Sequence, residues 1–157
     1  MADADHAHAP VIPPVVFGAA VLAALALRAL VPVPLVPASL DRSADVVGFA
    51  STVAGGALAS WALATFLLAR TTPIPNRPAN ALVTRGPYRF SRNPMYVGIS
   101  AVLAGLALIW NTVWLVAVLP PVWLVLTRYV IVPEEAYLTR KFGDDYRAFL
   151  ARTRRWI

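Results

Sequence analysis

Long apolar runs broken by short charged stretches dominate this chain. No charged residue falls in residues 46–69 or in residues 93–127. At roughly 1.5 Å per helical residue the first run can cross a hydrocarbon core of about 30 Å once, and the second can cross it twice by short spans. An earlier apolar run, residues 11–31, opens on Pro13-Pro14 and closes in the cluster Pro32, Pro34 and Pro37. Proline cannot continue a helix, so that cluster ends the first span. The pattern therefore predicts helices over 11–31, 46–69, 95–109 and 113–127, the last two forming a hairpin that turns at Trp110-Asn111. Asp41, Arg42 and Asp45, with Ser43 as a weak cap, predict a polar turn before the second span. Pro120-Pro121 predicts a kink in the fourth, because the pair removes two backbone donors. After Val132, Pro133-Glu134-Glu135 reads as a helix start, with two carboxylates at the positive end of the dipole. The helix that follows is amphipathic: Leu138, Phe142, Phe149 and Leu150 separate from Arg140, Asp144, Arg147 and Arg154. The expected fold is all-α and integral to a membrane, with four transmembrane helices, a C-terminal amphipathic helix and a disordered tail over residues 1–10.

Composition supports a lipid solvent. Of 157 residues, 59% are hydrophobic and only 14% charged, against about a quarter in soluble domains. The net charge of +6 does not point to nucleic acid, because the basic residues flank apolar runs. Cysteine is absent, which excludes disulfides, thiolate metal sites and a cysteine nucleophile. Residues 1–10 carry Asp3 and Asp5 and no Lys or Arg, so the first apolar run does not read as a signal peptide. His6 and His8 read as solvated tail residues. Arg70, Arg77, Arg85, Arg89 and Arg92 lie between the second and third runs, and Arg128, Arg140, Lys141, Arg147, Arg152, Arg154 and Arg155 follow the fourth. The other two connections hold one basic residue, Arg42. Basic loops stay cytoplasmic, which puts both termini and the central loop on that side of the membrane, the inner membrane in a bacterium.

One stretch stands apart: Arg85-Gly86-Pro87-Tyr88-Arg89-Phe90-Ser91-Arg92-Asn93-Pro94-Met95-Tyr96-Val97-Gly98. Residues 93–137 make one excursion out and back through the bilayer, so Arg92 and Asn93 return close to Glu134 and Glu135. Ionisable groups at the rim of a membrane bundle are expensive unless paired or used. Each has a plain reading too. The arginines can be headgroup anchors, the glutamates favourable first-turn charges, and Tyr88, Tyr96 and Tyr146 interfacial or packing aromatics. Adjacent helical residues point about 100° apart, so one glutamate is expected to face the pocket. The small residues Gly55, Gly56, Ala57, Ala59 and Ser60 allow close helix packing, within the chain or between chains.

These blocks resemble the membrane-embedded methyltransferases related to isoprenylcysteine carboxyl methyltransferase and phospholipid N-methyltransferase. The resemblance rests on Gly86-Pro87-Tyr88-Arg89-x-x-Arg92-Asn93-Pro94-Met95-Tyr96-x-Gly98, Glu134-Glu135-x-x-Leu138 and Phe142-Gly143-x-x-Tyr146, and covers residues 84–157. It implies a cytosol-facing S-adenosylmethionine site and a lipophilic or amphipathic acceptor methylated at a carboxylate, amine or thiol. Arg92 and Glu135 then carry the catalytic role. Gly86, Pro87, Tyr88, Arg92, Asn93, Tyr96, Gly98, Glu134, Glu135 and Tyr146 bind the cofactor, with Gly86 and Gly98 allowing close backbone approach. The prenylcysteine enzymes show Arg-His-Pro where this chain has Arg92-Asn93-Pro94, so an acid/base role for that histidine does not carry over. The alternatives are an NADPH-dependent membrane reductase of the sterol-reductase type and a non-catalytic lipid-binding or scaffold protein.

Overall fold

A computed structural model describes residues 10–71 and 79–157. The expected tail, including His6 and His8, and the prolines Pro73, Pro75 and Pro78 with Arg77 lie outside those described residues, except for Pro10. The elements run α1 (Pro13–Leu30), a 3₁₀ turn (Ala38–Leu40), α2 (Asp41–Leu68), a second 3₁₀ turn (Gly86–Arg89), and α3 (Pro94–Ile109). Then come α4 (Trp114–Ala117), α5 (Leu119–Leu126), a π-helical turn (Thr127–Ile131) and α6 (Val132–Arg152). The described residues contain no strand, only an isolated bridge between Ser91 and Arg154.

Three helical stretches are long and apolar enough to cross a membrane: Pro13–Leu30, Ala38–Leu68 and Trp114–Arg152. Helix α3 has 16 residues, about 24 Å at 1.5 Å per residue, and falls short of a full hydrocarbon core. Apolar side chains such as Leu22, Phe49, Val53, Leu68 and Leu124 are exposed, the surface expected of helices solvated by lipid.

The polar turn expected at Asp41–Asp45 is instead the first turn of α2, which begins at Asp41 with no side-chain cap. The proline pair does interrupt the fourth run, since α4 ends at Ala117 and the prolines occupy the first turn of α5. Residues 133–135 do not start a separate helix. Pro133 follows the π turn with no break, and the helix runs on to Arg152. A proline ring collides with the carbonyl four residues back in regular α geometry, and the wider π turn relieves that collision. At Gly143 the backbone leaves helical geometry, with φ 53° and ψ −124°, so the terminal helix bends there.

The small-residue face of α2 is used inside the chain. A Cβ on Gly55 would come within 2.6 Å of the Gly98 carbonyl, and one on Gly48 within 2.7 Å of the Gly105 carbonyl. Ser51 Oγ donates to the Ala101 carbonyl across the same seam at 2.9 Å. Gly56, by contrast, has nothing near it. On its other side α3 meets a core of Phe17, Leu103, Ala107, Leu115, Leu119, Val122 and Leu126, where α1, α4 and α5 pack. At the turn between α3 and α4, Asn111 accepts from the Leu35 and Val36 amides at 2.8 and 3.0 Å and donates to Asp41 at 3.1 Å. Trp114 Nε1 donates to the Val31 carbonyl at 2.7 Å, and Arg28 lies 5.8 Å from the Trp110 ring centre. Trp110 and Trp114 thus hold together the connections at this end of the bundle.

Candidate functional site

At the other end of the helices a second, smaller core forms from Ala62, Val83, Tyr88, Tyr146 and Phe149. It arises because the 3₁₀ turn at Gly86 rolls Tyr88 inward, where its ring meets Phe66 edge-on at 5.1 Å. Beside it, a half-open cleft of about 100 Å³ is lined by Leu82, Val83, Tyr88, Arg92, Asn93, Met95 and Tyr96, and from the far side by Glu134, Glu135, Leu138, Tyr146 and Phe149. Two segments some forty residues apart therefore converge, as the out-and-back excursion predicts.

Of the residues named from sequence, Tyr88, Arg92, Asn93, Tyr96, Glu134, Glu135 and Tyr146 line the cleft, whereas Gly86, Pro87 and Gly98 do not. Gly86 has φ +61°, and a Cβ there would meet Thr65 Oγ1 at 3.0 Å. Gly98 faces Gly55 and Ala59 in the α2–α3 seam. Both glycines permit close approach, but of α2 and not of a ligand. Pro87 is fully buried beneath the turn.

Both glutamates border the cleft, where one was expected. Glu135 is saturated. Its Oε1 pairs with Arg92 Nη1 at 3.0 Å and accepts from Arg155 Nε at 3.1 Å, and its Oε2 accepts from Arg155 Nη2 at 2.6 Å. Glu134 has no hydrogen bond or ion pair among the described residues. The same cleft holds the reverse situation in a donor, because Arg92 Nε is buried without a partner. An unpartnered carboxylate and an unpartnered guanidinium N–H in one cleft are costly as they stand and suit a ligand that carries both charges. Burial, then the charge of Glu134, pushes the Tyr88 phenol up, so it stays a neutral donor at physiological pH.

Sequence reasoning missed Arg155, which had counted only as one more positive-inside charge. Its hydrogen bonds to Glu135 raise its pKa further. The tail holding it returns to the loop before α3: Arg92 N donates to the Arg154 carbonyl at 2.9 Å and Asn93 Nδ2 to the Arg155 carbonyl at 2.8 Å. Asn93 thus serves as a clasp, and an amide does not titrate, so no acid/base chemistry comes from this position. The apolar lining residues Phe66, Leu82 and Val83 were also missed, and no motif marks them.

An all-helical membrane protein with a polar cleft at one end of its bundle is the class these observations define. Residues 44–145 match the phospholipid methyltransferase family. The chain belongs to that family of membrane methyltransferases, in line with the resemblance carried by its motif blocks. An uncharacterized protein of Haemophilus influenzae is 47% identical to it over 34 residues, which are 22% of this chain and 54% of that protein. The chain thus spans about half the length of the curated relative it matches. No solved structure matches it.

Proposed function

We propose that this protein is an integral-membrane S-adenosylmethionine-dependent methyltransferase acting on a lipophilic or amphipathic acceptor at a carboxylate, amine or thiol. The observation that carries the reading is the convergence of Arg92–Tyr96 and Glu134–Glu135 on one cleft in a chain of a methyltransferase family. The donor set fits the cofactor: its amino-acid end presents an ammonium and a carboxylate, the complements of unpartnered Glu134 and of Arg92 Nε. Bound there, the cofactor supplies an activated methyl group on a sulfonium centre.

The chain's own contribution is alignment and exclusion of water. Glu134 holds the positive end of the ligand, Arg92 the carboxylate, and Tyr88, Tyr96 or Tyr146 offers a ring face to adenine or to the sulfonium. Displacement at a methyl carbon needs the partners in line and dry, and Leu82, Val83, Met95, Leu138 and Phe149 supply the apolar wall that keeps water out. At about 100 Å³ the cleft is smaller than the 300–1,000 Å³ of sites for drug-sized ligands, so binding displaces part of this wall. The topology proposed with this function has four spans, α3 being the short one, with the cleft and both termini cytoplasmic.

Calorimetric titration of the detergent-purified protein with S-adenosylhomocysteine tests the reading. The expected result is saturable 1:1 binding, weakened at least about 100-fold in Glu134→Gln, which removes the charge that meets the ammonium. Absence of binding in protein that is helical and melts cooperatively overturns it.

A further inference from the structure

Residues 153–157 fold back onto the loop at the rim of the cleft without lining the cleft themselves. Past Arg152 the backbone turns extended at Thr153, whose side chain is buried, and runs beside the loop that precedes α3. Two hydrogen bonds hold it there: the Arg92 amide on the Arg154 carbonyl, which belongs to the isolated parallel bridge between Ser91 and Arg154, and the Asn93 side-chain amide on the Arg155 carbonyl. Trp156 then stacks on Trp123 at 5.4 Å between ring centres, and Trp123 Nε1 donates to Ser100 at 2.9 Å. This segment is thus tied along its length to the loop before α3 and to α5.

What the tail delivers is Arg155. The Glu135 side chain is 15% exposed and Arg92 16%, whereas Arg155 is 37% exposed and approaches from the solvent side. One guanidinium already reaches Glu135 from the loop before α3. The second closes a bidentate fork on it and fixes the plane of the carboxylate. The charges of the two arginines then balance those of Glu134 and Glu135, and only Glu134 is left to offer its charge to a ligand. We propose that Arg155 is a positioning residue of the methyl-donor site: docked by the tail, it occupies Glu135, fixes Arg92 against it, and leaves Glu134 as the ligand-facing carboxylate. Without Arg155, two adjacent carboxylates compete for Arg92, and the guanidinium offered to the ligand's carboxylate turns away.

This inference rests on the proposed cofactor, and the experiment separates the two. S-adenosylhomocysteine and S-adenosylmethionine are titrated into wild type, Arg155→Gln and Arg155→Lys, with helical circular dichroism and a cooperative melt recorded for each. No binding by folded wild type defeats the cofactor reading itself, and the inference falls with it. If wild type binds, Arg155→Gln is expected to weaken the homocysteine product at least about tenfold, the scale of a lost charge-assisted pair. Arg155→Lys should recover part of that loss, since it returns the charge without the fork. A tail that only stabilises the fold would weaken both ligands equally. Loss of a positive charge beside the carboxylates instead spares the cationic donor, so the ratio of the two affinities should shift severalfold. Wild-type affinity in Arg155→Gln, or equal weakening of both ligands, overturns the inference. Independently, the natural absence of cysteine allows spin labels at Arg89→Cys and Ile157→Cys, both exposed positions. A single narrow distance supports a docked tail, and a broad distribution overturns it.

Discussion

Helix α3 meets the rest of the protein in two unlike ways. Along its length it lies against α2 with almost no side chain between them, while at its N-terminal end it enters a cluster of paired charges and tyrosines. The seam is held by shape. Where a Cβ on Gly98 would stand 2.6 Å from one backbone atom and 2.7 Å from another, neither helix can yield by moving a rotamer. The cleft is held by charge, and in it Arg92 Nε is buried without a partner while Glu134 has no hydrogen bond or ion pair among the described residues. One region is optimised for packing and the other retains unsatisfied groups that a ligand can satisfy, which is how sites differ from scaffolds.

The strongest way to break this contrast is to fill the seam. Gly98→Leu should cost more than about 3 kcal/mol, beyond the usual range for overpacking, because the backbone of α2 at Gly55 and Ala59 faces the new side chain and cannot move aside as a rotamer can. The protein is expected to lose its monodisperse elution and cooperative melt in detergent. A well-folded Gly98→Leu protein would show that α2 and α3 separate easily.

Next comes the charged end. Arg92→Ala leaves Glu135 with only Arg155 and should destabilise by about 2–3 kcal/mol, somewhat under the value for fully buried pairs. The melting temperature falls and homocysteine-product binding is lost with it. Glu134→Gln, by contrast, should leave the melting temperature unchanged or raised, since it removes an unpartnered charge from the cleft. A clear loss of stability in Glu134→Gln would mean that Glu134 is paired like its neighbour.

How much of this was legible in the sequence follows the same division. The apolar runs gave the helices because lipid forces every span to be apolar, and the return of residues 133–137 beside 92–96 followed from one excursion through the bilayer. The glycines were legible as points of close approach but not what approaches: nothing local says that Gly86 and Gly98 meet Thr65 and Gly55. The facing of both glutamates was hidden because two residues about 100° apart on a helix both border a cleft only if its lining wraps that arc of α6, and the width of the cleft is set by distant segments around Tyr88 and Tyr96. Arg155 was invisible as a partner because its contacts span 20 residues to Glu135 and more than 60 to Asn93. Such contacts leave no periodic trace in the sequence.

Gly86 sharpens the comparison at smaller scale, since it belongs to the motif yet sits against α2. Gly86→Ala forces a side chain into φ +61° and towards Thr65 Oγ1 at 3.0 Å, which should cost about 1–2 kcal/mol. Because the turn also sets Tyr88, product affinity should fall only a few fold. A large affinity loss with an unchanged melt would move Gly86 from the seam to the site.

The smallest effect is expected at Arg147, and its size matters because it is also an arginine–carboxylate pair at short range. Arg147 Nη1 lies 2.6 Å from Asp144 Oδ1, as short as the Arg155–Glu135 contact, but the two side chains are 65% and 95% exposed. Water and salt screen such a pair, so Arg147→Ala should change stability by less than about 0.5 kcal/mol and leave binding untouched. If it matched Arg92→Ala in either readout, distance alone would govern the ion pairs of this protein. The difference in burial that sets the Glu135 cluster apart would then carry no weight.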